Sequence, residues 1–363
     1  MAGGLLQLVA YGSQDIYLTG NPQITFFKAI YRRHTNFSIE SIQQSFSGNV
    51  GYGKRITCQL SRNGDLVHKV YLVFTSGKIP NPISNYFSLN NVEIEIGGQI
   101  IDKHYKTWMI IWNELTLPIS KKKGFNEMIR ESVIQNGKIY IPLEFWFCRN
   151  IGLALPLIAL QYHEVKINIT FDKDYAVGYD LFNLVAGVEI WADYIFLDTD
   201  ERRRFAQLSH EYLIEQVQNN SYSTTTNNII ADLHFNHPVK ELIWFGCGNY
   251  SKAKLMLNGI DRFAERDQIY FTHIQPYQHH TNIPTNIPTN IPITYLFQND
   301  NINLYSFALK PEEHQPSGTL NMSRIDTAQL HLKDVENKTV FIYALSYNIL
   351  RVMSGMGGLV YSN

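Results

Sequence analysis

The stretch VKINITFD, residues 165–172, decides the fold class because its side chains alternate between apolar and polar. The apolar residues occupy every second position and therefore share one face of an extended chain: Val165, Ile167, Ile169 and Phe171. The polar residues between them face the opposite way. This period of two predicts a β-strand with one face in a core and the other against water or a neighbouring surface.

Outward from this stretch, four further segments predict strands because they are rich in β-branched and aromatic residues. They are KVYLVF (69–74), VEIEIGG (92–98), IYIPLEFWF (139–147) and VEIWADYIFL (188–197). Helix signal is sparse. TWMIIWNELTLP (107–118) predicts one short helix that ends at Pro118, and DERRRFAQLSHEYLIEQVQ (200–218) predicts a second helix or a helical linker.

The second half of the chain repeats the first half in the same order and at similar spacing. Five pairs of segments match: HKVYLVF (68–74) with VKELIWF (239–245), VEIEIGGQIIDKH (92–104) with AKLMLNGIDRFAE (253–265), IPLEFWF (141–147) with NLYSFAL (303–309), HEVKINITFD (163–172) with DTAQLHLKD (326–334), and VEIWADYIFL (188–197) with VFIYALSYNIL (340–350). The pairs predict two copies of one all-β domain. About eight short strands in each copy suit a jelly roll of two facing antiparallel sheets.

The predicted organisation therefore has four parts. They are an N-terminal arm at 1–24, a first jelly roll at 25–199, a linker at 200–218 and a second jelly roll at 219–363. The linker prediction rests on the mixed charge of its segment and its place near the middle of the chain. The arm has little strand or helix regularity, yet it carries apolar residues that need burial: Leu5, Leu6, Leu8 and Val9.

Composition excludes several classes of protein. The chain has 363 residues, of which 45% are hydrophobic and 17% charged, so it is globular rather than disordered. Its net charge of -1 gives no global basic field for nucleic acid. Three widely spaced cysteines, Cys58, Cys148 and Cys247, fit neither a disulfide framework nor a zinc pattern. We expect no signal peptide, because MAGGLLQLVAYGSQD (1–15) lacks a basic n-region and a long apolar core. We expect a soluble protein, because the longest apolar run, IGLALPLIAL (151–160), is too short to span a membrane.

Five long segments carry a resemblance to a known family. They are GGLLQLVAYGSQDIYLTGNPQITFFKAIYRRHTNF (3–37), DERRRFAQLSHEYLIEQVQ (200–218), QPYQHHTNIP (275–284), YSFALKPEEHQPSGTLNMSRID (305–326) and YNILRVMSGMGGLVYSN (347–363). Together they resemble the major capsid proteins of large eukaryotic nucleocytoplasmic double-stranded DNA viruses, a double jelly-roll family. The resemblance extends over essentially the whole chain, which is compact for the family, as though several surface loops were short.

The resemblance implies a homotrimer, a pseudo-hexameric capsomer that tiles an icosahedral outer shell over an inner membrane. It implies a virion location, synthesis in the host cytoplasm, and partners among neighbouring capsomers, minor capsid and penton proteins and inner-membrane-associated virion proteins. Direct contact with nucleic acid is not expected. We expect the arm to pack under its own trimer, against a neighbour or on the inner layer. The alternatives are a minor capsid paralogue and a glycan-binding tandem jelly-roll protein.

Two segments carry residue types that could do chemistry. KPEEHQPSG (310–318) gathers a carboxylate, a base and a hydroxyl, in Glu312, Glu313, His314 and Ser317. Adjacent residues on an extended chain point apart, and two prolines with a glycine indicate a rigid connection, so we expect a structural role. A metal site would use His279 and His280 with His273 nearby, and we expect a loop at a subunit contact there instead. A cupin-like hydrolase or oxygenase would use His279 or His314 and would contain bound metal.

The remaining motifs have structural interpretations as well. Arg32–Arg33 and Arg202–Arg204 predict ion pairs at domain or subunit contacts, and Lys121–Lys123 predicts a solvated loop tip. SGMGGL (354–359) lacks the phosphate-loop pattern, so its glycines predict a tight backbone path or close packing. We therefore predict no enzyme activity and no catalytic, cofactor-binding or metal-binding residues.

A tandem repeat, TNIPTNIPTNIP, spans residues 281–292. We predict a variable surface loop between the fourth and fifth strands of the second jelly roll, on the outward side of the capsomer. The resemblance implies one copy of TNIP after QPYQHH, so the further copies are interpreted as expansion within a loop that tolerates added length.

Overall fold

A computed structural model describes residues 3–76, 89–129, 138–172, 185–284 and 301–362. The chain divides into two compact units, Met1–Asn36 and Phe37–Asn363. The described part of the first unit holds two short helices, Gly3–Val9 and Ile16–Thr19, and none of its side chains is buried. All the strands described below belong to the second unit.

The strands of the first half form two antiparallel sheets. They are β1 (Phe37–Gln44), β2 (Phe46–Ser47), β3 (Arg55–Gln59), β4 (Leu66–Ser76), β5 (Leu89–Ile96), β6 (Gln99–Tyr105), β7 (Lys138–Pro142), β8 (Val165–Phe171) and β9 (Val185–Leu197). One sheet has the order β1-β9-β4-β7 and the other has the order β2-β3-β8-β5-β6. VKINITF thus forms the strand that its alternation predicts, β8, which lies at the centre of its sheet.

The strands of the second half form two further sheets. They are β10 (His210–Ser223), β11 (Ile229–Asp232), β12 (Pro238–Phe245), β13 (Lys252–Leu257), β14 (Ile260–Asp261), β15 (Arg266–Asp267), β16 (Asn303–Ser306), β17 (Leu320–Asn321), β18 (Ala328–Lys333), β19 (Thr339–Met353) and β20 (Met356–Leu359). One sheet is β10-β19-β12-β16, with β17 on β12 and β20 on β19. The other is β11-β18-β13-β14, with β15 on β13.

The two halves have the same topology. When the short accessory strands β2, β15, β17 and β20 are left out, each half has eight strands, which we number 1 to 8 along the chain. In both halves one sheet has the strand order 1-8-3-6 and the other has the order 2-7-4-5. That order is the double Greek key of a jelly roll, which confirms the predicted all-β double jelly roll. Strands β1–β9 are called the first jelly roll below, and strands β10–β20 the second.

The five matched sequence pairs fall on equivalent strands of the two jelly rolls. The pair VEIEIGGQIIDKH and AKLMLNGIDRFAE forms the hairpins β5–β6 and β13–β14. Their two-residue turns have positive φ at both positions, 58° and 88° at Gly97 and Gly98, and 48° and 78° at Asn258 and Gly259. Such turns match the twist of paired strands and favour Gly and Asn.

The helices and helical turns lie between strands. They are the α-helices Lys106–Thr116, Ile119–Ile129, Trp146–Arg149, Thr199–Gln207 and Gln275–His279, the 3₁₀ turns Ile151–Leu153 and Met322–Arg324, and the π-helical turn Tyr270–Ile274. The predicted helix before Pro118 is confirmed. Among the described residues, no helix has the length and apolar character needed to cross a membrane.

Two predictions of secondary structure are partly wrong. IYIPLEFWF is a strand only as far as Pro142, and Trp146–Arg149 is helical. DERRRFAQLSHEYLIEQVQ is helical only to Gln207 and continues as β10 from His210, since pairing along β19 overrides the weak helical preference of its polar residues. The four-part domain division stays a prediction.

One hydrophobic core is shared by the two jelly rolls. It contains the interior of the first jelly roll and also second-half residues, among them Ile214, Phe245, Tyr343 and Leu345. A separate core, which includes Trp244 and Leu255, lies inside the second jelly roll. Because apolar side chains from both halves pack in the shared core, the two jelly rolls form one compact unit.

Candidate functional site

A buried ion network joins the two jelly rolls at their seam. Arg149, at the end of the helix Trp146–Arg149 in the first jelly roll, contacts Glu215 of β10 at 2.9 Å. Lys240 of β12 contacts the other carboxylate oxygen of Glu215 at 2.5 Å, and its side chain is fully buried. The guanidinium of Arg149 also lies over the ring of Trp112, 4.8 Å from the ring centroid. One carboxylate thus holds a cation from each jelly roll.

The electrostatics of this network favour the charged carboxylate. Burial alone would raise the pKa of Glu215, but the charges of Arg149 and Lys240 outweigh burial and leave that pKa below its ordinary value. Burial also lowers the pKa of Lys240, although the negative charge of Glu215 acts to raise it. The three groups therefore depend on one another, and removing one leaves a buried charge uncompensated.

The edge strand β10 donates hydrogen bonds to β6 along the same seam. The Asp102 carboxylate accepts the backbone N–H of Val217 at 3.0 Å. The side-chain amide of Gln216 donates to the carbonyl oxygen of Ile101. An uncovered edge strand would expose unpaired backbone groups, and the first jelly roll satisfies part of that edge within the chain.

The C-terminal glycine-rich segment packs closely against the first jelly roll. Tyr162 donates its backbone N–H to the carbonyl oxygen of Gly355 at 2.9 Å. A Cβ atom at Gly355 would lie 2.5 Å from Tyr162 Cδ2, and one at Gly357 would lie 2.6 Å from Leu160 Cδ2. The prediction that SGMGGL serves close packing is confirmed.

We expect Gly357→Ala to lower the free energy of unfolding by about 1–3 kcal/mol, because its Cβ would overlap the buried Leu160 side chain. Gly187→Ala is the control, since a Cβ there would meet no atom within 4 Å. Urea unfolding of both variants measures the difference. Equal losses in the two variants would show that the close approach does not matter.

A second buried cluster surrounds His280, which precedes the tandem repeat. His280 donates from Nε2 to Glu241 Oε2 at 2.8 Å and from Nδ1 to Glu312 Oε1 at 2.9 Å, with its side chain fully buried. Burial would lower the pKa of His280, but Glu241 and Glu312 more than offset burial and raise it to about 9. The imidazolium is therefore charged at neutral pH and links β12 to the loop after β16.

The structure places the candidate residues of KPEEHQPSG in separate surroundings. Glu312 accepts hydrogen bonds from His280 and Thr281, whereas Glu313 contacts Lys310 at 2.9 Å on the surface. His314 lines a cavity of about 500 Å³ at the seam, together with Arg149 and Glu215. Ser317 Oγ accepts the backbone N–H of Lys310 at 2.9 Å. The prediction that the adjacent glutamates point apart is confirmed.

The three histidines of the candidate metal site do not converge. His279 Nδ1 donates to the carbonyl oxygen of Leu309 at 3.0 Å, and His273 Nδ1 contacts Thr272 Oγ1 at 2.7 Å. Within the described part of the chain, no group of three or more His, Cys, Asp or Glu side chains is placed to hold a metal. Sequence reasoning missed that the loops carrying His280 and Glu312 meet, because the two residues are 32 positions apart and nothing local to either residue indicates the contact.

The first copy of TNIP is anchored to the first jelly roll. Asn282 is buried, donates its backbone N–H to the Leu115 carbonyl oxygen at 3.0 Å, and donates its side-chain amide to the Leu117 carbonyl oxygen. The further copies, residues 285–292, lie outside the described residues. The predicted place between the fourth and fifth strands is wrong, because AKLMLNGIDRFAE holds two strands, and the repeat follows the fifth.

The basic clusters have different surroundings. Arg202 contacts Asp65 of the first jelly roll at 2.9 Å, which confirms the predicted ion pair at that residue. Lys121–Lys123 lies in the helix Ile119–Ile129 rather than at a loop tip, so that prediction is wrong, and Lys122 contacts Glu114 at 2.6 Å. Arg32 and Arg33 are exposed in the N-terminal unit.

The N-terminal unit exposes an unusual number of large apolar side chains. They are Leu5, Leu6, Leu8, Val9, Tyr11, Ile16, Tyr17, Leu18, Ile24, Phe26, Phe27, Ile30 and Tyr31. Exposed apolar surface on this scale marks a site of contact with another molecule or surface.

Comparison with family models gives two matches that together span most of the chain. Residues 25–198 match the model of the major capsid protein N-terminus. Residues 201–249 and 247–358 match the model of the large eukaryotic DNA virus major capsid protein.

Individual relatives are similar along their whole lengths. The chain is 52% identical over 399 aligned residues to a major capsid protein of Pyramimonas orientalis virus, and 42% identical over 451 to that of Paramecium bursaria Chlorella virus 1, with 100% of each chain covered. Both alignments are longer than the 363 residues of this chain, so the relatives have residues that it lacks.

Solved structures show the same fold. A quasi-atomic model of the PBCV-1 virus capsid superposes with a TM-score of 0.81 at 37% identity, covering 93% of this chain and 100% of that chain. The Faustovirus major capsid protein superposes with a TM-score of 0.73 at 10% identity, covering 94% of each chain, and shares the fold alone.

Proposed function

Because the chain belongs to the family of major capsid proteins of large eukaryotic DNA viruses, we propose that three copies form a pseudo-hexameric capsomer of the icosahedral outer shell. The observation that carries this proposal is the identical strand order of the two jelly rolls within one compact unit. Three copies then present six similar domains around one axis. Six similar edges suit a hexagonal lattice with few distinct contacts.

The seam supports this role because a lattice needs a constant angle between the two jelly rolls. The shared core and the network of Arg149, Glu215 and Lys240 tie the jelly rolls together through buried contacts. Such contacts resist bending, since close-packed interiors have few alternative arrangements. The chain would act by contact alone, without catalysis.

The partners follow from the same proposal. They are other copies of the chain, neighbouring capsomers, minor capsid and penton proteins and inner-membrane-associated virion proteins, with synthesis in the host cytoplasm. Direct contact with nucleic acid is not proposed, in keeping with a net charge of -1. Identity of 52% with a major capsid protein over its full length favours the principal shell protein over a minor paralogue.

Light scattering and electron microscopy of the purified chain test the proposal. We expect a particle of three times 41.9 kDa with a hexagonal outline. A strictly monomeric chain at high concentration would contradict it. Stoichiometric bound metal together with hydrolase or oxygenase activity would instead favour a cupin-like enzyme.

We expect deletion of residues 1–20 to impair assembly into shells while both jelly rolls still fold. The physical reason is that the apolar side chains of this segment are exposed and require another surface. The yield of capsid-like particles, compared with the melting temperature of the same variant, measures the two effects separately. Unchanged particle yield would remove the arm from the assembly mechanism.

We expect deletion of residues 285–292, which leaves a single TNIP, to leave trimers intact. The remaining copy keeps Asn282, whose hydrogen bonds to Leu115 and Leu117 anchor the start of the loop. Sedimentation of the variant beside the full chain checks the result. Loss of trimers would show that the repeat is itself an assembly element.

A further inference from the structure

Three asparagines of the chain are followed directly by glycine, at Asn63–Gly64, Asn136–Gly137 and Asn258–Gly259. An asparagine in this pair can lose its side-chain amide, because glycine has no side chain to hinder attack by its own backbone nitrogen on the asparagine amide carbon. The pair at Asn136 lies outside the described residues. The structure gives the other two pairs very different surroundings.

Asn258 is held by hydrogen bonds through its side chain and its backbone. It is the first turn residue of the hairpin β13–β14. Its Oδ1 accepts the backbone N–H of Asp326 at 2.9 Å and that of Thr327 at 3.0 Å. Its own backbone N–H donates to the carbonyl oxygen of Thr327 at 2.7 Å. The amide group is therefore fixed to the segment before β18 and is protected from attack.

Asn63 has none of this restraint. It lies in the connection between β3 and β4, and it is exposed. Its side chain makes no hydrogen bond with any residue that the structure describes, and within the same ranges the backbone N–H of Gly64 donates to no protein acceptor. Both reacting groups are thus free of competing bonds to the described parts of the chain.

Packing requires glycine at position 64. A Cβ atom there would lie 2.8 Å from Tyr194 Cβ and 3.1 Å from Tyr194 Cδ1. Tyr194 is fully buried, and its hydroxyl donates to the carbonyl oxygen of Ser61 at 2.7 Å, so the ring has little room to move away. The fold therefore keeps a glycine directly after Asn63.

We propose that Asn63 is a site of spontaneous deamidation in the folded chain. The backbone nitrogen of Gly64 forms a bond to Cγ of Asn63, the bond from Cγ to Nδ2 breaks, and Nδ2 leaves as ammonia with the proton of the Gly64 amide. Water then opens the cyclic imide. Opening at the bond from the Gly64 nitrogen to Cγ gives aspartate, and opening at the bond to the main-chain carbonyl carbon gives isoaspartate.

The position of Asn63 gives the modification a structural consequence. Either product adds one negative charge to a chain whose formal net charge is -1. Isoaspartate also lengthens the main chain by a carbon atom shortly before Asp65, which is buried. The Asp65 carboxylate accepts the backbone N–H of Leu197 at 2.9 Å and contacts Arg202 at 2.9 Å. The modification therefore acts beside the junction of β4, β9 and the helix Thr199–Gln207.

Peptide mass spectrometry of the folded chain, incubated at neutral and at mildly alkaline pH, tests the proposal. We expect Asn63 to convert at least about tenfold faster than Asn258, because Asn258 must first break two hydrogen bonds. The rate at Asn63 should rise with hydroxide concentration, since the Gly64 amide must lose its proton. Enzymatic methylation of isoaspartate identifies the isomerised product. Equal rates at the two residues, or faster conversion of Asn258, would overturn the proposal.

A variant and an unfolded sample complete the experiment. Asn63→Gln keeps an exposed amide but has a longer side chain that disfavours closure of the ring, so conversion at position 63 should be lost while Asn258 is unaffected. In urea, Asn258 loses its hydrogen bonds and the two rates should converge. If the difference persists in urea, it comes from the neighbouring sequence rather than from the fold, and the inference is wrong. Gly64→Ala cannot serve as a control, because its Cβ would displace Tyr194.

Discussion

Replacement of Glu215 with glutamine will lower the free energy of unfolding by about 3–5 kcal/mol, because it leaves buried cations without their shared carboxylate. Arg149 and Lys240 contact Glu215 at 2.9 and 2.5 Å. The Lys240 side chain is fully buried, so water cannot replace the lost partner. Urea unfolding followed by tryptophan fluorescence measures the loss, since Trp112 packs beside Arg149.

Two further variants show whether burial is the cause. Glu211→Gln makes the same change on the same strand, but the pair of Glu211 with Arg351 is exposed, so we expect a change within about 0.5 kcal/mol. Adding Lys240→Met to Glu215→Gln removes one unpaired charge and should recover part of the stability. Equal losses in the two glutamine variants, or a double variant less stable than Glu215→Gln, would contradict this account of the seam.

The stability that His280 contributes will be lost as the pH rises from about 6.5 to about 9. In the folded chain Glu241 and Glu312 raise the pKa of His280 from 6.5 to about 9, despite burial. Below the lower value the imidazole is protonated in both states and the contribution is fully present. Above the higher value it is neutral in both states and the contribution is gone. The shift corresponds to about 3 kcal/mol.

The variant His280→Gln isolates this contribution. Other groups also favour unfolding at high pH, since burial raises the pKa of the Cys58 thiol to about 12 and that thiol ionises more readily once unfolded. These other contributions are the same in the unaltered chain and in His280→Gln. The difference in unfolding free energy between the two should therefore report His280 alone. We expect the difference to shrink by about 3 kcal/mol across the window. A difference that stays constant with pH would rule out a charged His280 in the folded chain.

The fold was largely predictable from the sequence because the patterns that indicate it are either local, such as strand alternation, or repeated between the two halves of the chain. The alternation in VKINITFD identifies β8, and five matched pairs identify the duplication without any long-range contact. The strand β10 was missed, because Glu211, Glu215 and the glutamines between its apolar residues resemble a solvated helix face. The match of YLIEQVQN (212–219) with FSIESIQQ (37–44), the sequence of β1, was within reach of the same comparison and predicts that strand.

The buried charges could not be predicted in the same way. Nothing local to Glu215 distinguishes it from the exposed Glu211 on the same strand. Its burial depends on Arg149, which is brought close only when the two jelly rolls pack. The same holds for His280 and Glu312, which are in contact although β16 lies between them in the sequence. Pairings of this kind require the tertiary fold, whereas strand periodicity does not.

The anchored start of the tandem repeat has a genetic consequence. Each copy of TNIP is a whole number of codons, so slippage during genome replication adds or removes copies without a frameshift. Asn282 holds the copy that precedes the change, through Leu115 and Leu117, and β16 resumes only at Asn303. We therefore expect chains with more or fewer copies of TNIP to keep the fold of the described residues, which would make this locus a length marker and a place to insert a foreign epitope.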